Sequence, residues 1–514
     1  MESALSWHYE ELLLAVEAPP QTGLSLRFRW IPLTFLLPLA LCAMSWAARG
    51  LPLLTDFGFV GFTVLCAWFC IVELIRFPRR NGVGALMLYG GVIVWFCVDY
   101  LTYWLGADYA LMPFPPVTIA KAATLHVLFV MMMSIGFLLP YGKWIERLIL
   151  KLPEAKSSRY YFSVIILLFA LGILPYLLFT EEQFPDVFIQ SFTQMRAIGS
   201  EGVHWTVGRT GNLNYSWGGY VVQWVDAGYL GGLFAAFYAV LVGRNIWAKT
   251  IAWLIWGFWM AMAFGSGTRG QVVFMGLPVI ALVYMRSQQV AGTQGKKLSV
   301  RAYWRGGRLL LLLLALVQFQ GTFRDIPNQD RVMTDVELFN VAGNSMFSEG
   351  MLAYYLIPET RPFFYDRFPG EALIRPLPDF VFLLVTHPIP RALWTSKPVD
   401  PLFQWYNVMV TGRGTGLEGA TFSHGLVGSW YFKYGIAGII EGGLLMGLLF
   451  SIAERTLNKG TGRPMVIMIS LGLLTWLFSC FRDVTFPQLW ALLLGFFVLT
   501  GLIWVGRAFS TARR

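Results

Sequence analysis

Charged residues are scarce in this chain of 514 residues, where Asp, Glu, Lys and Arg together make up only 13%. In a typical soluble protein about a quarter of the residues are charged. Hydrophobic residues reach 56% and the mean hydropathy is +0.58, whereas a single water-surrounded core stops growing near roughly 250–300 residues. The composition excludes an ordinary soluble protein and predicts an all-α, polytopic membrane protein whose exterior is lipid.

Cysteine and histidine are also few. The cysteines are Cys42, Cys66, Cys70, Cys97 and Cys480. All lie within apolar segments, which excludes a disulfide framework in an extramembrane loop. No histidine lies at a metal-ligand spacing from any of them. The chain has no GxxxxGK[ST] loop, no GxGxxG that follows a strand and no HExxH motif. We therefore expect no cofactor and no tightly bound metal.

Twelve apolar stretches approach the length of a bilayer and predict twelve transmembrane helices. They lie at about 30–48, 57–75, 83–105, 119–139, 160–179, 217–242, 250–265, 271–285, 308–322, 425–453, 464–481 and 485–505. The sequence GSGTRG (265–270) predicts a turn between two short helices, because one long helix would place Arg269 at mid-membrane.

Lysine and arginine predict the orientation. Most of them lie in short connections such as 76–80, 143–159 and 286–308, and short basic loops are typical of the cytoplasmic side. The net charge of +10 therefore indicates membrane topology and not nucleic-acid binding. We expect both termini in the cytoplasm and the long loops 180–216 and 323–424 on the outer side.

The chain thus divides into four parts. They are an amphipathic cytoplasmic segment (1–29), helices one to nine (30–322), the long outer loop (323–424), and helices ten to twelve with a cytoplasmic tail (425–514). The start of the chain is acidic and amphipathic, which favours an interfacial helix over a signal peptide. The proline-broken apolar piece at 377–390 predicts a re-entrant or interfacial segment.

Polar residues are expected at the outer mouths of several helices. They are Arg269, Arg324, Asp325, His424, Arg482 and Asp483. Guanidinium binds phosphate through two parallel hydrogen bonds, and arginine is less costly near an interface than at mid-membrane. The cluster predicts a site for a lipid-linked phosphate or pyrophosphate. The alternative is that each arginine only extends to the lipid headgroups.

Some polar residues lie alone within apolar segments. We interpret His126 and His387 as packing residues. Asp99, Asp226 and Glu441 are either functional groups or partners in hydrogen bonds between helices, since ionisable residues inside a membrane commonly serve one of these roles.

The stretch HGLVGSWYFKYGIAG resembles the histidine motif of O-antigen ligases. His424, Gly435 and Gly438 match its spacing, whereas Gly425 stands where that family has a polar residue. Parts of the chain are also similar to the related Wzy-type O-antigen and oligosaccharide repeat-unit polymerases. These parts are the helix entry SWYFKYGIAG (429–438), the preceding loop IPRALWTSKP (389–398), the SGTRG turn and the late FRD (481–483).

This resemblance implies a metal-independent glycosyltransferase with a GT-C-like fold, acting at the periplasmic face of a bacterial inner membrane. The donor would be a glycan on undecaprenyl pyrophosphate, and the acceptor would be a sugar hydroxyl of another lipid-linked repeat unit. A chain-length regulator and a flippase are further candidate partners, and nucleic acid is not one.

Two groups of residues are expected at the site. Arg269, Arg324 and Arg482 would neutralise the leaving pyrophosphate, and His424 would accept the proton of the acceptor hydroxyl. The expected substrate-binding residues are Arg209, Arg391, Lys397, Asp325, Asp483 and Trp430.

Two other functions stay open. An O-antigen ligase would transfer the glycan to the lipid A core, and the histidine motif favours it. A flippase or transporter would need internal repeats and charges along a central pathway, of which the sequence has little.

Overall fold

In a computed structural model of the protein, 89% of the described residues are helical. It describes residues 31–76, 82–105, 114–154, 157–180, 224–265, 269–293, 307–313, 376–386, 425–460 and 462–482, together with positions 186, 189, 315–316, 354, 389, 393–394 and short pieces between 489 and 505.

The helices follow one another along the chain with short connections in several places. After the helical turn Ile31–Thr34 they are α1 (Leu36–Ala47), α2 (Pro52–Arg76), α3 (83–104), α4 (Pro116–Leu138), α5 (Lys143–Leu150), α6 (Ser158–Phe179), α7 (Val225–Phe237), α8 (Ile246–Gly265), α9 (Arg269–Thr293), α10 (Pro376–Thr386), α11 (Gly425–Lys459) and α12 (Pro464–Cys480). Helix α3 contains a π-helical segment, Ile93–Cys97, and α7 continues into another, Tyr238–Val242.

Seven helices among the described residues are long and apolar enough to cross a membrane. The protein is therefore polytopic and membrane-embedded, as the composition predicts, while the number twelve stays a prediction. The expected turn at 265–270 is confirmed in one respect, since α8 ends at Gly265 and a separate helix begins at Arg269.

Helices α6, α7 and α8 pack through glycines. Phe162 of α6 contacts Tyr238 at the end of α7, and Gly172 contacts Gly228 near its beginning, so α6 and α7 are antiparallel. The buried indole of Trp259 fills the space that Gly228 leaves. Small residues allow this close approach, which dispersion contacts then stabilise.

Helices α4 and α11 form the tightest pair. Gly443 and Gly447 lie four residues apart on one face of α11, and their missing side chains leave room for the carbonyl oxygens of Phe129 and Met133. Gly136 of α4 in turn lies against the backbone of Leu444. This small-xxx-small arrangement is a common way of joining helices within a bilayer.

At one end of the bundle, α4 ends, α5 follows it, and α11 is connected to α12. We call this the basic end, and ion pairs and hydrogen bonds stabilise it. The Arg455 side chain donates from Nε to Glu146 Oε2 at 3.0 Å and from Nη2 to the Tyr141 carbonyl at 2.6 Å, and Lys459 donates to the other Glu146 oxygen. Arg463 donates to the carbonyl of Leu152 at 2.7 Å. The opposite end, where α4 begins and α12 ends, we call the loop end.

The charge of Glu146 depends on these contacts. Burial, which leaves the side chain 5% exposed, favours the neutral acid, but the hydrogen bonds and charges of Lys459 and Arg455 outweigh it and lower the pKa of Glu146 below its ordinary 4.5. The carboxylate therefore stays ionised and attaches α5 to α11.

Candidate functional site

The chain reverses direction within α11, at Gly435. Its φ of 63° and ψ of −146° lie outside the helical region and are accessible essentially to glycine alone. Gly438 lies against the carbonyl of Trp430, and Gly442 lies against the Trp430 ring. In a straight helix residues 430 and 442 would be about 18 Å apart. Residues 425–434 (α11a) therefore fold back antiparallel to residues 436–459 (α11b).

The prediction of a single helix over residues 425–453 is therefore wrong, because the chain reverses direction at Gly435. The reversal requires the two glycines Gly435 and Gly438, the first for its backbone conformation and the second for its close approach to Trp430. Trp430 is 4% exposed and packs between α11a and α11b, with its ring 5.8 Å from that of Tyr434. Trp430 stabilises the hairpin, and its expected role in binding substrate stays a prediction.

Helix α11a begins inside the bundle. Leu426 N–H donates to the carbonyl oxygen of Phe481 at 3.1 Å, directly after the end of α12. Residues 425–432 are all buried. Helix α12 extends about 25 Å from the basic end and reaches Phe481, whereas α11b extends about 36 Å from that end and reaches Gly435. Because α11a begins beside Phe481, its first residue lies roughly 10 Å deeper in the bundle than Gly435. A positive helix end thereby lies within the protein.

Arg482 lies beside this helix start. Its backbone N–H donates to the carbonyl of Ser479 at 3.1 Å, which continues the last turn of α12, and its side chain is partly exposed. The bond between Leu426 and Phe481 thus brings Arg482 next to Gly425. Residues 425–438 and 481–482, which are far apart in the sequence, therefore meet at this point.

A buried lysine contributes a second positive charge at the loop end. Lys121, in the second turn of α4, is 7% exposed, and its Nζ lies 5.1 Å from the centre of the Tyr431 ring. A cation over an aromatic face is stabilised by about 0.5–2 kcal/mol. Sequence reasoning missed Lys121, although a lysine inside an apolar segment is itself a signal.

The long loop also reaches this region. Tyr354 is 1% exposed, with its ring 6.0 Å from Tyr431 and 5.6 Å from His126. His126 is fully buried, and its Nδ1 lies 2.8 Å from the Ala122 carbonyl. Burial and these ring contacts agree with the interpretation of His126 as a packing residue, which stays a prediction.

Comparisons with family models, with curated proteins and with solved structures found no match to this chain.

Several expected site residues lie outside the described residues. They are His424, Arg324, Asp325, Asp483, Arg209, Arg391 and Lys397. Arg269 begins α9, and nothing is described of its side chain. Their roles stay predictions.

The carboxylates within the apolar segments differ in exposure. Asp99 is buried, Asp226 is half-buried and Glu441 is exposed. Among the residues that the structure describes, no three His, Cys, Asp or Glu side chains are grouped so that they could hold a metal ion. The described part of the site therefore offers cationic and aromatic groups, which suit an anionic ligand.

Proposed function

We propose that the protein polymerises oligosaccharide repeat units carried on undecaprenyl pyrophosphate, by glycosyl transfer at the loop end of the bundle. In this proposal the protein crosses the inner membrane twelve times, has a GT-C-like fold and keeps both termini in the cytoplasm. The loop end then faces the periplasm.

The hydrogen bond between Leu426 and Phe481 is the observation that carries this proposal. It joins two short stretches that resemble the polymerases and that are far apart in the sequence. The start of α11a, Arg482 and Lys121 then supply positive charge near the loop end. A helix that begins within a membrane protein is a common site for anionic groups of a substrate.

The depth of these groups suits a lipid-linked donor. Helix α12 is about 25 Å long, so Arg482 lies near the surface of a hydrocarbon core about 30 Å thick. The pyrophosphate of an undecaprenyl lipid lies at that height.

The reaction forms one bond and breaks another. The acceptor hydroxyl oxygen attacks the anomeric carbon of the donor, the bond from that carbon to pyrophosphate breaks, and undecaprenyl pyrophosphate leaves with the electron pair. His424 accepts the hydroxyl proton, because the ordinary pKa of histidine lies near neutral pH. Arg269, Arg324 and Arg482 stabilise the negative charge that develops on the pyrophosphate.

The other expected residues position these groups. Asp325 and Asp483 orient the neighbouring arginines through charge-assisted hydrogen bonds. Arg209, Arg391 and Lys397 bind the glycan and the phosphates, and Trp430 contributes to binding by holding α11a against α11b.

Purified protein incubated with a single lipid-linked repeat unit tests the proposal. We expect a ladder of products that differ by one unit, separated by gel electrophoresis. Product that appears only when lipid A core is added would identify an O-antigen ligase, which the histidine motif also fits. Movement of intact lipid-linked glycan across a vesicle membrane, with no new glycosidic bond, would identify a transporter.

A further inference from the structure

Helix α5 exposes two adjacent stripes of side chains at the basic end. Lys143, Arg147 and Lys151 recur at every fourth position and are all exposed. Trp144 directly follows Lys143, and Leu148 directly follows Arg147; these two apolar residues are 66% and 57% exposed. Residues four apart share a face of a helix, so a basic stripe lies directly beside an apolar stripe.

The remaining face of α5 is attached to the bundle. Glu146 on that face bonds to Arg455 and Lys459 of α11b. Gly142, with a φ of 77°, turns the chain between α4 and α5 and lies against the side chain of Ile452. These contacts fix the rotation of α5 about its axis, so both stripes face away from the protein.

The exposed residues suit the boundary between lipid headgroups and acyl chains. Helix α5 follows directly on α4, which is long and apolar enough to cross the membrane. An interfacial helix carries lysine and arginine on its polar side and tryptophan and leucine on its apolar side. Basic residues at this height attract anionic lipids.

We propose that the exposed face of α5 is a docking surface for anionic phospholipids of the adjacent leaflet. Trp144 and Leu148 enter the upper acyl region, while Lys143, Arg147 and Lys151 bind the phosphates of the headgroups. This surface is separate from the loop end and does not depend on the reaction proposed there.

Native mass spectrometry of the full chain tests the charge requirement. The protein is reconstituted in an equimolar mixture of phosphatidylcholine and phosphatidylglycerol, and the retained lipids are counted. In the triple variant Lys143→Gln, Arg147→Gln, Lys151→Gln we expect the affinity for phosphatidylglycerol to fall about fivefold for each charge removed. Unchanged retention would overturn the proposal.

A matched control removes three charges elsewhere at the same end. Arg244 lies in the connection between α7 and α8, and Lys249 lies in the first turn of α8. This connection is at the basic end, because α7 ends close to the beginning of α6. Arg286 is an exposed residue of α9, in the half of that helix that leads towards its end at Thr293. The variant Arg244→Gln, Lys249→Gln, Arg286→Gln should retain phosphatidylglycerol nearly as the wild type does. An equal loss in both triple variants would mean that net charge alone binds the lipid, and the α5 surface would be rejected.

The apolar stripe needs a second measurement. A fluorophore on a cysteine at Leu148, in a background without the five native cysteines, should be quenched by lipids spin-labelled high on the acyl chain. A label at Asp186, which is exposed, serves as the comparison site. A Leu148 label that is quenched only by a water-soluble agent would show that the surface faces water. A label that a bound protein protects from both the lipid quencher and the water-soluble quencher would assign the surface to a protein partner. Either result would overturn the proposal.

Discussion

The two ends of the bundle are built in different ways. At the basic end, Arg455 donates from three nitrogens to Glu146, Ser451 and the carbonyls of Leu139 and Tyr141. At the loop end, Lys121 lies over an aromatic ring, and a reversed backbone brings the start of α11a to Phe481.

The same residue types therefore serve different purposes at the two ends. The basic end uses positive charges to join helices, through acceptors that belong to the protein itself. The loop end depends on glycine conformations to bring a helix start and Arg482 together. Substitutions at the basic end should therefore lower stability more than activity, and substitutions at the loop end should do the reverse.

The largest effect is expected for Gly435→Ala. A side chain at this φ and ψ adds strain of about 1–3 kcal/mol, which the protein can relieve by moving α11a away from Phe481. We expect the rate of ladder formation to fall about tenfold or more, with the helix content by circular dichroism retained. Gly257→Ala is the matched control, because a Cβ there meets nothing within 4 Å and alanine favours a helix. Normal activity of Gly435→Ala would show that the reversal is dispensable.

Arg482→Ala should reduce the reaction rate by about tenfold to a hundredfold, since a hydrogen bond to a charged group contributes roughly 1.5–3 kcal/mol. Arg482→Lys should recover little of it, because lysine cannot make the bidentate contact. The rate is measured with one lipid-linked repeat unit in vesicles. Arg455→Lys provides the comparison at the basic end, where we expect a lower melting temperature and a nearly normal rate. A fully active Arg482→Lys protein would indicate that Arg482 extends only to lipid headgroups.

Glu146→Gln should lower the free energy of unfolding by about 1–2 kcal/mol, less than a fully buried ion pair would because Arg455 and Lys459 are 25% and 40% exposed. Unfolding by a denaturing detergent, followed by circular dichroism, measures this change. Asp186→Asn, at an exposed carboxylate, should leave the midpoint unchanged. A large loss of activity without a change in stability would contradict the division between the two ends.

The smallest effect is a pH dependence of stability. Because the pKa of Glu146 in the folded protein lies below its ordinary 4.5, the ionised carboxylate stabilises the fold above that value. This contribution is lost as the pH falls from 4.5 through the lowered pKa. The melting temperature of the wild type should therefore fall more steeply with acid than that of Glu146→Gln. Parallel curves for the two proteins would assign the acid sensitivity to other groups.

The sequence predicts the helical membrane architecture well, because apolar composition and helix length depend on local residue type alone. It also predicts that Gly265 and Arg269 belong to separate helices. In contrast, the sequence does not predict the reversal at Gly435. Residues 425–453 are apolar over a length that could cross the bilayer, and hydropathy does not distinguish one long helix from two helices that fold together.

Contacts between distant parts of the chain are harder to predict. The basic residues 143–151 indicate a cytoplasmic loop but not the helix α5, whose attachment depends on Glu146 meeting residues of α11. Lys121 stands alone in its segment, and its role follows only from the position of Tyr431. For the loop end, the sequence predicts only that several motifs lie on one face of the membrane, and not which side chains meet there.

The glycine contacts between α4 and α11b have a consequence for where a lipid tail can travel. Gly443 and Gly447 bring the two backbones into direct contact at Phe129 and Met133. A methylene chain needs a gap of about 4 Å from the atoms on either side, so no prenyl or acyl chain can pass along this seam. Under the proposed function, a donor with its headgroup near Arg482 would therefore have to place its long tail in another groove of the bundle.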